Sequence, residues 1–196
     1  MDEFAFDLTT DDGSINPEGV QSAITGLYVS ILGRAPDPDG LDFWINGGDG
    51  DEDFEGFNAA VEAGSDPEQV LAGIAESFRL NAAADSANPF SEDAQAVLSA
   101  ESSEDVTGAQ VSAFLNQWFQ NALGRDYDPE GADAGLDGAA QLTAALDDDS
   151  GADIGNVLVD LLSAVAGGDG DDAATVNNRI DAGVAFADGA AGTTAT

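Results

Sequence analysis

The chain has 196 residues, of which 39 are acidic and four are arginine; with no lysine and no histidine, its formal net charge is −35. Phosphate binding needs clustered Lys and Arg, so the balance excludes nucleic acid and disfavours anionic membrane surfaces as partners, whereas oxygen-seeking cations such as calcium and magnesium are attracted. A hydrophobic content of 43% is too high for a disordered acidic tail, and the length suffices for one fair-sized domain or two small ones.

The absence of cysteine and histidine removes disulfides, the usual zinc sites, thiol nucleophiles and every His-based triad. Carboxylate pairs are so plentiful that no pair stands out, and four arginines leave few donors for a developing oxyanion, so the chain reads as not an enzyme. The acidity itself has two explanations that stay open together. One is a salt-adapted surface, since at seawater-like salt the Debye length falls to roughly 4–5 Å and screens most self-repulsion. The other is a specific role for divalent ions.

In chain order, MDEFAFDLTTDDG lacks a basic region and a continuous apolar run, so residues 1–15 are expected to form an N-terminal arm without a Sec signal peptide. No stretch approaches 18 apolar residues, so no transmembrane segment is expected. Asn16-Pro17-Glu18 is a helix start, and Val20, Ile24, Leu27, Tyr28 and Ile31 follow at spacings of three and four, with Gly33 as the stop. Asp66-Pro67-Glu68 repeats the start before Val70, Leu71, Ile74 and Phe78. A third amphipathic helix is predicted over 111–123, carrying Val111, Phe114, Leu115, Trp118 and Leu123, and two more over 156–166 and 175–187. Strand alternation is sustained nowhere, so the predicted fold is all-α.

One turn is written twice. LGRAPDPDGLD (32–42) and LGRDYDPEGAD (123–133) share seven of eleven residues at an offset of 91, each behind an apolar helix carrying aromatics. The offset is too long for a solenoid and predicts two related helical half-domains built on helix–turn–helix corners. The boundaries expected are 16–88 and 107–187, with a hinge over 89–106 and a flexible tail over 188–196. At each corner the glycine ends a helix, and Asp37 or Asp128 is read as the N-cap of the next, with proline at its first position. Arg34 and Arg125 are read as clasps bent back toward Asp42 and Asp133. The alternative is that Asp37, Asp39 and Asp42 ligate calcium, although their spacing lacks the EF-hand order.

LYVSILGRAPDPDGLDFWING (27–47) resembles the signature of the bacterial domain-of-unknown-function 4214 family. DPEQVLAGIAESFRLN resembles that family's second element, and TVNNRIDAGVAFADG a further one. The second corner has Ala134 and Gly135 where the first has Phe43 and Trp44, which makes it a degenerate copy. The resemblance implies a bacterial surface-layer or secreted calcium-binding context, with type I secretion as the export route.

GGDGDDAAT (167–175) matches one copy of a calcium-binding nonapeptide, so Asp169, Asp171 and Asp172 are candidate calcium ligands, and Asp49 and Asp51 in GGDGDED are a weaker set. An isolated copy cannot share ions with a neighbouring turn, and a solvated Gly/Asp loop explains the same residues. Phe43, Trp44, Trp118 and Phe119 read as core, with Trp44 as a possible glycan contact if exposed. Three functions remain in play. The leading one is an exported structural protein, extracellular or at the cell surface, that self-assembles as a homo-oligomer or polymer through calcium. The others are a module that docks to surface polysaccharide and a halophilic intracellular protein whose acidity is only salt adaptation.

Overall fold

The computed structural model describes residues 5–48, 54–84, 90–100, 102–130, 133, 136–147 and 152–193. The fold is all-α. Its helices are α1 (Pro17–Leu32), α2 (Pro38–Asn46), α3 (Gly56–Glu62), α4 (Pro67–Ala84), α5 (Glu92–Ser99), α6 (Gly108–Leu123), α7 (Gly138–Leu146), α8 (Ala152–Ala166) and α9 (Asp171–Thr193). Among the described residues the only extended pairing is an isolated antiparallel bridge between Thr9 and Ile15. No helix among them is long and apolar enough to cross a membrane.

Helix α1 starts as its sequence dictates. Asn16 accepts a hydrogen bond from the Gly19 N–H, Pro17 occupies the first turn, and Gly33 closes the helix at φ 65°, ψ 20°. The sequence pattern predicts a one-sided apolar face, but the structure buries α1 on nearly every side. Ala23, Thr25, Gly26 and Ser30 are buried along with Val20, Ile24, Leu27, Tyr28 and Ile31. Helices α4, α6, α8 and α9 all pack on it. The residues between the large ones are small and uncharged, which lets those neighbours come close. A Cβ on Gly26 would lie 2.8 Å from Leu162 of α8 and 3.2 Å from Ile180 of α9.

The most extensive helix pair is α4 with α8. Their backbones nearly touch at Gly155, where a Cβ would lie 2.1 Å from the carbonyl oxygen of Ala72. The stretch 89–106, expected as a hinge, instead carries α5, which packs on α4 and α6. Phe90, Ala94, Val97, Leu98 and Ala100 are buried there in the same core as the residues of α1 and α6. Its polar residues face outward at helical spacing, so Ser and Asp content alone resembled a linker. The N-terminal arm is also anchored. Phe6 and Leu8 are buried, and the Ala5 N–H donates to Ser163 Oγ at 2.9 Å.

The glycine geometry predicts opposite effects at two sites. Gly155→Ala forces α4 and α8 apart and should cost about 1–3 kcal/mol, as overpacking does. Gly73→Ala lies in α4 with nothing near its added Cβ and should stabilise by up to about 1 kcal/mol. Urea unfolding of both variants in high NaCl checks the pair; equal effects would refute the close approach.

Candidate functional site: the two corners and the four arginines

The two repeated corners begin alike. The Gly33 N–H reaches Val29 O and the Arg34 N–H reaches Tyr28 O; at the second corner the Gly124 N–H meets Gln120 O and Phe119 O. Both glycines are left-handed, Gly124 at φ 77°, ψ 20°. Each arginine then lies over the equivalent ring of the helix it follows. Arg34 sits 5.0 Å from the Tyr28 centroid and Arg125 5.1 Å from that of Phe119, and Tyr28 and Phe119 are themselves 91 positions apart.

Beyond the ring contact the corners diverge. In the first, Asp37 caps α2 by accepting from the Gly40 N–H at 2.8 Å. Arg34 reaches Asp37 at 3.5 Å with both side chains more than half exposed. Asp42 is not in the clasp. It accepts from Asn46 Nδ2 at 2.8 Å, and Asn46 in turn accepts from Asn58 Nδ2 at 2.9 Å, which ties α2 to α3. Helix α2 begins directly at Pro38, and Asp42, one turn in, is committed to its own helix.

At the second corner the expected helix after Pro129 does not form there. Pro129 and Glu130 make a turn, and α7 starts only at Gly138. Ala134 and Gly135 replace the aromatic pair that anchors α2, so a helix at this point would have little apolar surface to bury. The turn brings Asp133 back instead. Its carboxylate accepts from Arg125 Nη1 at 2.7 Å and Nη2 at 2.6 Å, and from the Asp128 N–H at 2.7 Å. Asp128 therefore contributes its backbone, its N–H to Asp133 and its carbonyl to the Asp133 N–H at 3.0 Å, rather than a helix cap.

The same guanidinium also binds Asp172, with Nε 3.1 Å from Oδ1 and Nη2 on Oδ2. Asp172, a candidate calcium ligand from the sequence, is thus an ion-pair partner that fastens the start of α9 to the second corner. Arg125 holds its carboxyl below the usual carboxylate range, and the two aspartates together push the guanidinium's pKa up. Asp171 is exposed in the first turn of α9, where the helix dipole favours a negative charge, and Asp169 is exposed in the loop before it. Asp49 and Asp51 lie outside the described residues. Among the described residues there is no group of three or more acidic side chains placed to hold a metal ion.

Two further arginines were not singled out by the sequence pattern. Arg79, 5% exposed, donates Nε to Glu76 Oε2 at 2.8 Å and Nη1 to the carbonyl of Leu98, joining α4 to the end of α5. Arg179 of α9 donates Nη1 to the carbonyls of Gln120 and Asn121 at the end of α6. Gly124 makes room for it, since a Cβ there would lie 2.8 Å from Arg179 Nη2. The signal available in the sequence was scarcity: four arginines among 39 acidic residues are each drawn to a carboxylate or a helix end. The aromatics divide as well. Trp118 and Phe119 are fully buried. Trp44 is half-buried, with the rings of Phe43, Phe54 and Phe78 at 5.0–5.2 Å around it.

Comparison with protein-family models, curated proteins and solved structures finds no match for this chain.

The unequal clasps predict unequal mutant effects. The exposed Arg34–Asp37 pair is worth at most about 1 kcal/mol, so Arg34→Gln should be mild. Arg125→Gln strands Asp133, whose side chain is 3% exposed, and should cost about 3 kcal/mol, the lower end for a buried pair because Arg125 itself is 30% exposed. Thermal or urea unfolding of the two variants decides, and near-equal losses would refute the difference.

A pH test follows from Asp172. Its folded-state pKa lies below the unfolded value of about 3.9, so its stabilisation is complete above the unfolded pKa and is lost as pH falls through the folded one. Relief of general charge repulsion on acidification is common to wild type and variant and cancels in their comparison. The stability gap between wild type and Asp172→Asn should therefore narrow as pH falls below about 4. A gap that widens would refute the pairing.

Proposed function

We propose that this chain is an exported, acidic structural protein whose copies assemble at the bacterial surface or in extracellular matrix, with divalent cations bridging their acidic faces. One observation carries the reading: every arginine has an intramolecular partner. Arg34 pairs with Asp37, Arg79 with Glu76, Arg125 with Asp133 and Asp172, and Arg179 caps α6. A second copy therefore meets carboxylates with no unpaired arginine to answer them. At a net charge of −35, close homotypic contact is opposed unless an external cation stands between the faces. Calcium suits that position because it accepts six to eight oxygen ligands in flexible geometry, including ligands from two surfaces.

The bacterial surface setting and type I export come from the resemblance of residues 27–47 to the 4214 family. The division into two related halves belongs to the same proposal. It is supported by the matching corners, by the arginine-over-ring contacts at equivalent positions, and by α6 having the bounds of α1 moved by 91 residues. The competing glycan-anchor reading draws less support, because three rings already surround Trp44.

Electron microscopy and light scattering during a CaCl₂ titration at constant high NaCl test the proposal. The expected result is polymers that form with calcium and dissolve with chelator. Monomers at every calcium concentration would overturn it.

A further inference from the structure

The repeat places its own equivalent positions in contact. Asn121 Nδ2 donates to the carbonyl of Ser30 at 3.2 Å, and these positions are 91 apart, the offset of the repeat. The contact ties the end of α6 to the end of α1, the two helices that lead into the repeated corners. Each of these two helices also carries a helix that lies on the far side of a loop from it. Helix α5 follows α4 and packs on α6, the first helix of the other half; α9 follows α8 and packs on α1. The last helix of the chain is thus seated on the first, and only the loop before it joins it covalently to the rest of the fold.

Helix α9 is built to be exchanged. It is joined to α8 by Gly167, Gly168, Asp169 and Gly170, all exposed, with Gly170 at φ 147°. Its apolar grip on the core rests mainly on Val176, Ile180 and Ala187. The closest approach uses small residues, since a Cβ on Gly183 would lie 2.6 Å from Thr25 Cγ2. Its fasteners to α1 and α6 are the Asp172–Arg125 pair, the Arg179 donation to the end of α6, and an exposed hydrogen bond from Gln21 Nε2 to Asp188 at 3.2 Å, while Asn177 Nδ2 donates to the Ala166 carbonyl at the end of α8 at 3.0 Å. Departure of α9 alone would uncover buried α1, which a monomer cannot tolerate. The α9 of a second copy fits the same seat with the same contacts, so exchange costs little once both copies are present.

We infer that α9 is an exchangeable helix, and that in the assembled state it docks on α1 and α6 of a second copy of this chain. This inference rests on the self-assembly proposed above and names its interface. One-way exchange leaves a vacant seat at one end and a free helix at the other, so it propagates into filaments, whereas mutual exchange closes into a dimer. Cations bridging the acidic faces bring copies near enough for the exchange, and the fasteners then re-form between chains.

The chain has no cysteine, so single introduced thiols report without background. Copies carrying Gln21→Cys are mixed with copies carrying Asp188→Cys, assembled with CaCl₂ in high NaCl, and treated with a short bis-maleimide. Mixed covalent dimers in the polymer, absent from the calcium-free monomer, are expected. A double variant cross-linked within one chain before calcium is added should lose assembly, and its internal link verifies that α1 and α9 are adjacent. Polymers without mixed dimers, together with assembly of the locked double variant, would overturn the exchange while leaving cation-bridged assembly standing. Failure of the unmodified chain to assemble would overturn that reading and this interface with it.

Discussion

A helix ends in carbonyl oxygens that nothing within the helix satisfies, and in a chain of net charge −35 four arginines are the only basic side chains available to meet them. Two of the four do so across the fold, and a third acts beside one of those ends. Arg79 reaches the end of α5, Arg179 the end of α6, and Arg125, just beyond that same end, gathers Asp133 and Asp172. The end of α6 is therefore tied both to the second corner and to α9. The second corner and the start of α9 take their positions from it. Arg34, at the equivalent place on α1, meets an exposed carboxylate, the carbonyl of its neighbour Ala35 and a tyrosine ring, and makes no ion pair to a distant element.

The apolar interior supplies the stability that a surface of this charge does not. Its centre is α1, enclosed by α4, α6, α8 and α9, and small residues on α1, α8 and α9 set the spacing of those helices. Because the helices meet at backbone distance, little tolerance remains for added volume. The acidic surface and the apolar centre are thus separated almost completely. Among the described residues, the buried charged side chains are Arg79 and Asp133, each against an opposite charge. Salt acts on the outer layer by screening and leaves the inner one to packing.

The corners show how identical residues reach different ends. Both have Leu-Gly-Arg, then Asp-Pro, Gly and Asp at matching offsets. Where Phe43 and Trp44 follow, an aromatic cluster with Phe54 and Phe78 holds α2 in place, and Asp42 stays on that helix. Where Ala134 and Gly135 follow, helix formation is deferred to Gly138 and Asp133 returns to the arginine. The residues that follow the motif thus decide which carboxylate the arginine binds.

The all-α class, the starts of α1 and α4, the glycine stops and the core aromatics Trp118 and Phe119 were legible from the sequence, because caps, left-handed glycines and apolar spacing act within one or two turns. The corner arginines were legible as helix-end residues for the same reason. Their partners were not: Asp172 lies 47 residues from Arg125, and Arg179 lies 58 from the carbonyl of Asn121. Local spacing carries no information about such pairs, which exist only once α9 has packed against α6. The burial of α5, read as a hinge, and the full enclosure of α1 were decided in the same way. A helix's own sequence marks which of its faces can be buried, but how many are buried depends on the neighbours that arrive.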